Sequence, residues 1–184
     1  MLAVAIVPGK RVCENIKKTW NILDKNYGIN FISTNSPFPH ITLISGLYEK
    51  KQEEIINSIN SSIVSTKSMK LCSKGLGVFL IESPLVYLRW KNNKKLIELR
   101  NTLLENLAKN KLVNNNSSLN TDWAAKTTIC FKDLNYKNNF TNVILTIKEM
   151  FTEDYEEEVE SLVLIRYLDA AKEKVIQKFS FKSN

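Results

Sequence analysis

Two triplets in this 184-residue chain carry side chains that could do acid–base and polar chemistry: His40-Ile41-Thr42 and Lys126-Thr127-Thr128. Each sets a titratable or charged group two residues before a hydroxyl. On a β-strand, positions i and i+2 share a face, so each triplet would present a polar pair to one side. General acid–base chemistry needs one group that takes a proton and another that gives one. Imidazole titrates near neutrality and suits such proton transfer. Hydroxyls and a nearby cation can stabilise negative charge that builds on an oxygen. His40 is the only histidine, so all imidazole chemistry must run through it. The scheme requires neither a metal nor a cofactor.

The elements that must position these residues follow from hydropathy. Residues 1–7 are apolar and predict a first strand, and Pro8-Gly9 breaks the chain. Val12, Ile16, Trp20 and Leu23 then recur at helical spacing up to about Lys25. Residues 29–33 read as a short strand, Asn35-Ser-Pro-Phe-Pro39 as a rigid turn, and residues 40–44 as a strand with Ile41 and Leu43 turned away from His40 and Thr42. Ile55, Ile56, Ile59 and Ile63 predict a second helix; residues 71–81 and 85–90 predict two strands joined at Ser83-Pro84.

The second half repeats this theme. Leu96, Leu99, Leu103 and Leu107 form the clearest helical stripe. A polar loop is expected at 114–120 and a strand at 123–131, with Lys126 and Thr128 on one face and Thr127, Ile129 and Phe131 on the other. Phe140, Val143, Ile144, Ile147 and Phe151 predict another helix, followed by strands at 159–168 and 174–182. The fold class is therefore α+β in one domain, 1–184. Its two similar lobes fall roughly at 1–90 and 91–184, each a small antiparallel sheet backed by helices, with a cleft between them.

Composition narrows the setting. The net charge is +7, from 26 Lys and Arg against 19 Asp and Glu. A positive field favours encounter with polyanions without choosing one. Cys13, Cys72 and Cys130 form no C-x-x-C pair, so neither a disulfide framework nor a zinc cluster is indicated and a reducing compartment fits. The apolar opening is too short to span a bilayer and lacks the flanks of a signal peptide. Residues 153–160 carry six carboxylates without calcium-loop spacing and read as a solvated turn. Trp20, Trp90 and Trp123 read as core or lobe-boundary residues.

The paired triplets resemble the motifs of the 2H phosphoesterase superfamily, which includes bacterial 2′-5′ RNA ligase and RNA 2′,3′-cyclic phosphodiesterases. The first motif is intact as Pro39-His40-Ile41-Thr42-Leu43. The second matches as Trp123-Ala-Ala-Lys126-Thr127-Thr128-Ile129, except that Lys126 stands where the second catalytic His is expected. The resemblance extends over residues 85–89, the Leu-rich helix and the closing strands. It implies a bilobal cleft with His40 and Lys126 as the catalytic pair and Thr42 and Thr128 on the phosphate. It implies action on a 2′,3′-cyclic phosphate or a 2′-5′ linkage, with an activity reduced by the lysine. Tyr87, Arg89, Arg166 and Tyr167 are candidate substrate contacts, since Arg offers a bidentate fork and Tyr a flat face.

The expected partners are RNA ends or small nucleotides, with no metal, no membrane and no cofactor, acting as a cytoplasmic monomer. Two other readings stand beside this one. The first is a catalytically inactive RNA-end or nucleotide-binding protein that keeps the cleft. The second is a hydrolase of a cyclic or 2′-5′-linked signalling nucleotide.

Overall fold

In a computed structural model, the described residues are 2–36, 38–80, 82, 84–114, 123–131, 133, 140–166 and 175–182. The apolar opening becomes β1 (Leu2–Ile6), buried at every residue. α1 (Lys10–Tyr27) buries Val12, Ile16, Trp20 and Leu23, and Gly28 closes it in the left-handed region at φ 66°, where a glycine has no Cβ to clash. Next come α2 (Phe31–Asn35), β2 (Ile41–Leu47), α3 (Gln52–Ile63), β3 (Met69–Phe79) and β4 (Leu85–Trp90). The Asn93 side chain accepts the Leu96 N–H at 2.7 Å and so caps α4 (Lys94–Lys109). β5 (Lys126–Cys130), α5 (Phe140–Met150), β6 (Glu156–Val159), β7 (Ser161–Arg166) and β8 (Val175–Ser180) complete the order.

The strands form one antiparallel sheet in the order β6-β3-β4-β5-β2-β1-β7-β8. Alternation along the strands sends their large apolar side chains to one face. There Leu2, Val4, Ile6, Val86, Leu88, Leu162 and Leu164 join the stripes of α1, α3, α4 and α5 in a single core. Each such Leu or Ile contributes roughly 1.5–3 kcal/mol by leaving water. The small residues Ala3 and Ala5, with Val163 and Ile165, form a separate cluster against which Phe38 packs. That opposite face carries the site.

The sheet consists of two four-stranded halves that meet where β2 lies beside β5. The middle of the chain builds β6-β3-β4-β5, and its two ends build β2-β1-β7-β8. The halves therefore do not divide at residue 90 as expected: β3 and β4 pair with the strands that follow them. The α+β class and the antiparallel pairing are as expected, with the two four-stranded halves joined into one sheet at the β2–β5 seam.

Two sequence expectations are corrected. Residues 29–33 do not form a strand; residues 31–33 belong to α2, whose start is held by Asp133 Oδ2, which accepts the N–H groups of Asn30 and Phe31 at 2.9 and 2.5 Å. A carboxylate at a helix start supplies its unpaired donors, and a partner 102 residues away leaves no local trace. Residues 156–159 of the acidic run are not a turn but the edge strand β6, whose Glu156, Glu157, Glu158 and Val159 stand opposite Cys72, Leu71, Lys70 and Met69. Lys70 Nζ donates to Glu156 at 2.7 Å and Ser68 Oγ to Glu158 at 2.9 Å. A run of like charges has no alternation to read, yet charge on an edge strand deters pairing with another chain. The loop expected at 114–120 lies outside the described residues from 115 onward.

Candidate functional site

The two triplets are brought together by register. Ile41 stands directly opposite Thr127 across the β2–β5 seam. In an antiparallel ladder this sets His40 across from Thr128 and Thr42 across from Lys126. Both spacers point into the core and are fully buried, while His40, Thr42, Lys126 and Thr128 are partly exposed on the other face. Those four side chains border one cavity of about 210 Å³. Its far wall is Phe31, Ile32 and Asn35 of α2 with Ser36, Phe38 and Pro39 of the turn.

The local backbone repeats as the residue types do. Thr42 pairs with Ala5 and the next pair is Ile44 with Val4; Thr128 pairs with Tyr87 and the next is Cys130 with Val86. Each strand thus slips register just after its Thr, with Leu43 and Ile129 as the extra residues. Such bulges bend a strand and leave main-chain groups outside the ladder. Indoles attend to both: Trp123 Nε1 donates to the Thr42 carbonyl at 3.1 Å, and Trp20 Nε1 to the Ile129 carbonyl at 2.9 Å. Trp90 Nε1 donates to Thr127 Oγ1 at 2.9 Å. All three tryptophans therefore anchor the motif strands, a role beyond filling the core. Trp90→Phe leaves a buried hydroxyl without that donor and is expected to cost about 1–3 kcal/mol. Urea unfolding reads this out, and Trp90→Phe with Thr127→Val should cost less than the two single losses added.

His40 is oriented by its own turn. Its Nδ1 lies 2.7 Å from the Phe38 carbonyl, which Ser36 Oγ also reaches at 3.1 Å. A carbonyl only accepts, so Nδ1 carries the hydrogen and Nε2 is the lone-pair nitrogen of the neutral ring. Burial pulls the imidazole below its ordinary value, and the bond to the Phe38 carbonyl offsets only part of this. The ring is consequently neutral at pH 7, as a base must be.

Burial also lowers the pKa of the half-buried Lys126 ammonium. Among the described residues no carboxylate pairs with it; its Nζ lies 5.3 Å from the centroid of the Phe79 ring. Arg89 stands directly opposite Lys126 on β4, and like charges at opposed sheet positions repel. An anion between them would relieve this. Arg89 is exposed and donates Nε and Nη2 to the Lys74 carbonyl at 3.2 and 3.1 Å.

The remaining candidates separate. Tyr87 shares the site face beside Thr128 but is only 8% exposed, which leaves its ring little surface for a base. Arg166 is corrected: opposite Leu2 it turns to the other face, and its guanidinium bonds Glu49. That bond holds the Glu49 carboxyl below the usual carboxylate range. Tyr167 lies outside the described residues. The wall residues Phe31, Ile32, Asn35, Ser36 and Phe38 were not singled out from sequence. Phe38 could have been, since it sits between two prolines immediately before the motif. No side-chain group among the described residues is arranged to hold a metal ion, and no helix among them is long and apolar enough to cross a membrane.

No family model matches the sequence, and no curated protein matches it. Solved structures do match over nearly the whole chain. TT0787 of Thermus thermophilus superposes with a TM-score of 0.68 at 12% identity, covering 99% of this chain and 98% of that one. A structure described as a phosphoesterase gives 0.58 at 15% identity, covering 98% and 97%. E. coli LigT complexed with 3′-AMP gives 0.59 at 14%, covering 98% and 96%. The chain shares the fold of these proteins, which is the α+β fold that the paired motifs led one to expect.

Proposed function

We propose that the cleft binds and hydrolyses an RNA-type phosphodiester, either a 2′,3′-cyclic phosphate or a 2′-5′ linkage, by the two-motif chemistry of 2H phosphoesterases. The observation that carries the reading is the Ile41–Thr127 register, which puts both triplets around one cavity. That LigT shares the fold and has been crystallised with 3′-AMP and with phosphate supports it.

In this mechanism His40 Nε2 takes a proton from water as the oxygen attacks phosphorus. The bond from phosphorus to one ribose oxygen then breaks, and that oxygen receives a proton from the Lys126 ammonium. The product is a phosphomonoester beside a free hydroxyl. The Thr42 and Thr128 hydroxyls, with the Lys126 charge, hold the non-bridging oxygens. Lowering the lysine pKa makes it a better proton donor than a free ammonium. The substrates are RNA ends or small nucleotides in the cytoplasm, a compartment consistent with the free Cys13, Cys72 and Cys130. One chain supplies the whole cleft, as a monomer would.

The test is kcat/KM against pH on a 2′,3′-cyclic-phosphate-ended oligoribonucleotide and on a 2′-5′-linked one. kcat/KM reports the free enzyme. The acid limb should rise with a midpoint below about 6.5, as His40 loses its proton. The alkaline limb should fall below about 10.4, as Lys126 loses its own. A flat profile, or no turnover on either oligonucleotide, would sink the reading.

The lysine favours a second reading. A cation binds phosphate but is a poor match for an imidazole acid, so the cleft would serve as an inactive RNA-end or nucleotide-binding module. Tight binding of both oligonucleotides without turnover would mark it.

A further inference from the structure

The site face of the β3–β4 hairpin carries an arrangement that neither triplet includes. Gly77 pairs with Tyr87, and Tyr87 with Thr128. A Cβ on Gly77 would lie 2.3 Å from Tyr87 Cζ, so the tyrosine ring lies across the Gly77 backbone where no other residue would let it. Phe79, two residues along the same face, meets that ring at 4.8 Å between centroids with 32° between planes. The Lys126 ammonium lies over Phe79 at 5.3 Å. Phe79 is 39% exposed and Tyr87 8%. Gly77, Tyr87, Phe79 and Lys126 therefore form one stack from the sheet backbone to the cleft.

We propose that Phe79 is a positioning residue for Lys126, its ring face holding the ammonium over the cleft in the place a counter-carboxylate would otherwise take. This rests on the reading of the cleft as a phosphodiester site. A partly buried ammonium needs a stabilising partner. A carboxylate would supply one, but it would cancel the charge and repel an anionic substrate. The ring quadrupole attracts the cation without carrying net charge, so the positive charge remains for phosphate. The tyrosine beneath stiffens the platform, and the glycine lets the tyrosine lie flat. Among the described residues, the charged or titratable groups facing Lys126 are Arg89 and Tyr87 on β4 and His40 next to β2. None of these is a counter-ion.

The experiment is an NMR titration of the Lys126 ε-methylene and Nζ in the full chain, without substrate, for wild type, Phe79→Leu and Phe79→Trp. Leucine keeps the site apolar and removes the π-face. Loss of a cation–π contact of about 0.5–2 kcal/mol corresponds to a midpoint lowered by roughly 0.4–1.5 in Phe79→Leu, with Phe79→Trp restoring it. Inorganic phosphate should bind Phe79→Leu more weakly than wild type, with Phe79→Trp restoring this too. An unchanged or raised Lys126 midpoint in Phe79→Leu overturns the proposal, with a retained melting temperature showing that the variant is folded. If phosphate fails to bind wild type while the midpoint still moves with Phe79, the phosphodiester reading falls and the positioning role stands.

Discussion

His40→Ala is expected to lower kcat on a 2′,3′-cyclic phosphate by about 10²–10⁴, the usual share of a positioned acid or base, while KM changes by no more than a few-fold. The split follows from the division of labour in the cleft. In the proposed mechanism the imidazole would act on water, and the phosphate oxygens would be held by Thr42, Thr128 and Lys126, which the substitution leaves in place. His40 is partly exposed and its Nδ1 bonds Phe38 and Ser36 of its own turn, so the fold should survive with little change in melting temperature. The residual rate should lose its acid limb, since no other imidazole exists in the chain. Steady-state kinetics across pH measure all of this. A variant that keeps the wild-type rate, or the acid limb, removes His40 from the role of base.

The second large effect is a gain. Lys126→His places a second imidazole beside Thr128, across the seam from the first, and should raise kcat by about 10²-fold or more if a matched acid recovers the lost factor. The alkaline limb should move down towards the ordinary imidazole value near 6.5, narrowing the bell. The register is already suited to the change: with Ile41 opposite Thr127, position 126 lies on the same face of the seam as His40, Thr42 and Thr128. If wild type is silent and this variant turns over, the cleft is intact and its acid was given up for binding. If the variant is slower than wild type, the ammonium is the better group here and the geometry does not favour an imidazole.

Most of the elements were legible because their signals were local. The Leu96, Leu99, Leu103 and Leu107 stripe faces the core as its spacing requires, and the alternation at 126–129 assigned Lys126 and Thr128 to one face. The two triplets could be matched from their residue types, but not the register that places Ile41 against Thr127. Pairing partners are set by the whole sheet. Arg166 shows the limit plainly: a guanidinium in a strand reads the same on either face, and only its neighbour Leu2 across the ladder settles which. Phe79 and Gly77 left no mark for a related reason. An aromatic residue and a glycine two apart on a strand are ordinary, and their meaning lies in a tyrosine on the next strand. Asp133 at the start of α2 and the three indole bonds likewise join residues far apart in sequence.

The place of β1 in the sheet bears on how the chain is made. Leu2 to Ala5 pair with Val163 to Arg166 on one side and with β2 on the other, and every β1 residue is buried. β1 therefore waits for β7, made about 160 residues later, before its second edge is satisfied. At about 5–20 residues per second, that leaves a fully apolar strand half-paired for many seconds. β3 and β4, by contrast, form a hairpin with each other and can pair as soon as both are made. Conditions that slow synthesis between β2 and β7 should expose the nascent β1 edge to chaperone capture, with the β3–β4 hairpin already formed.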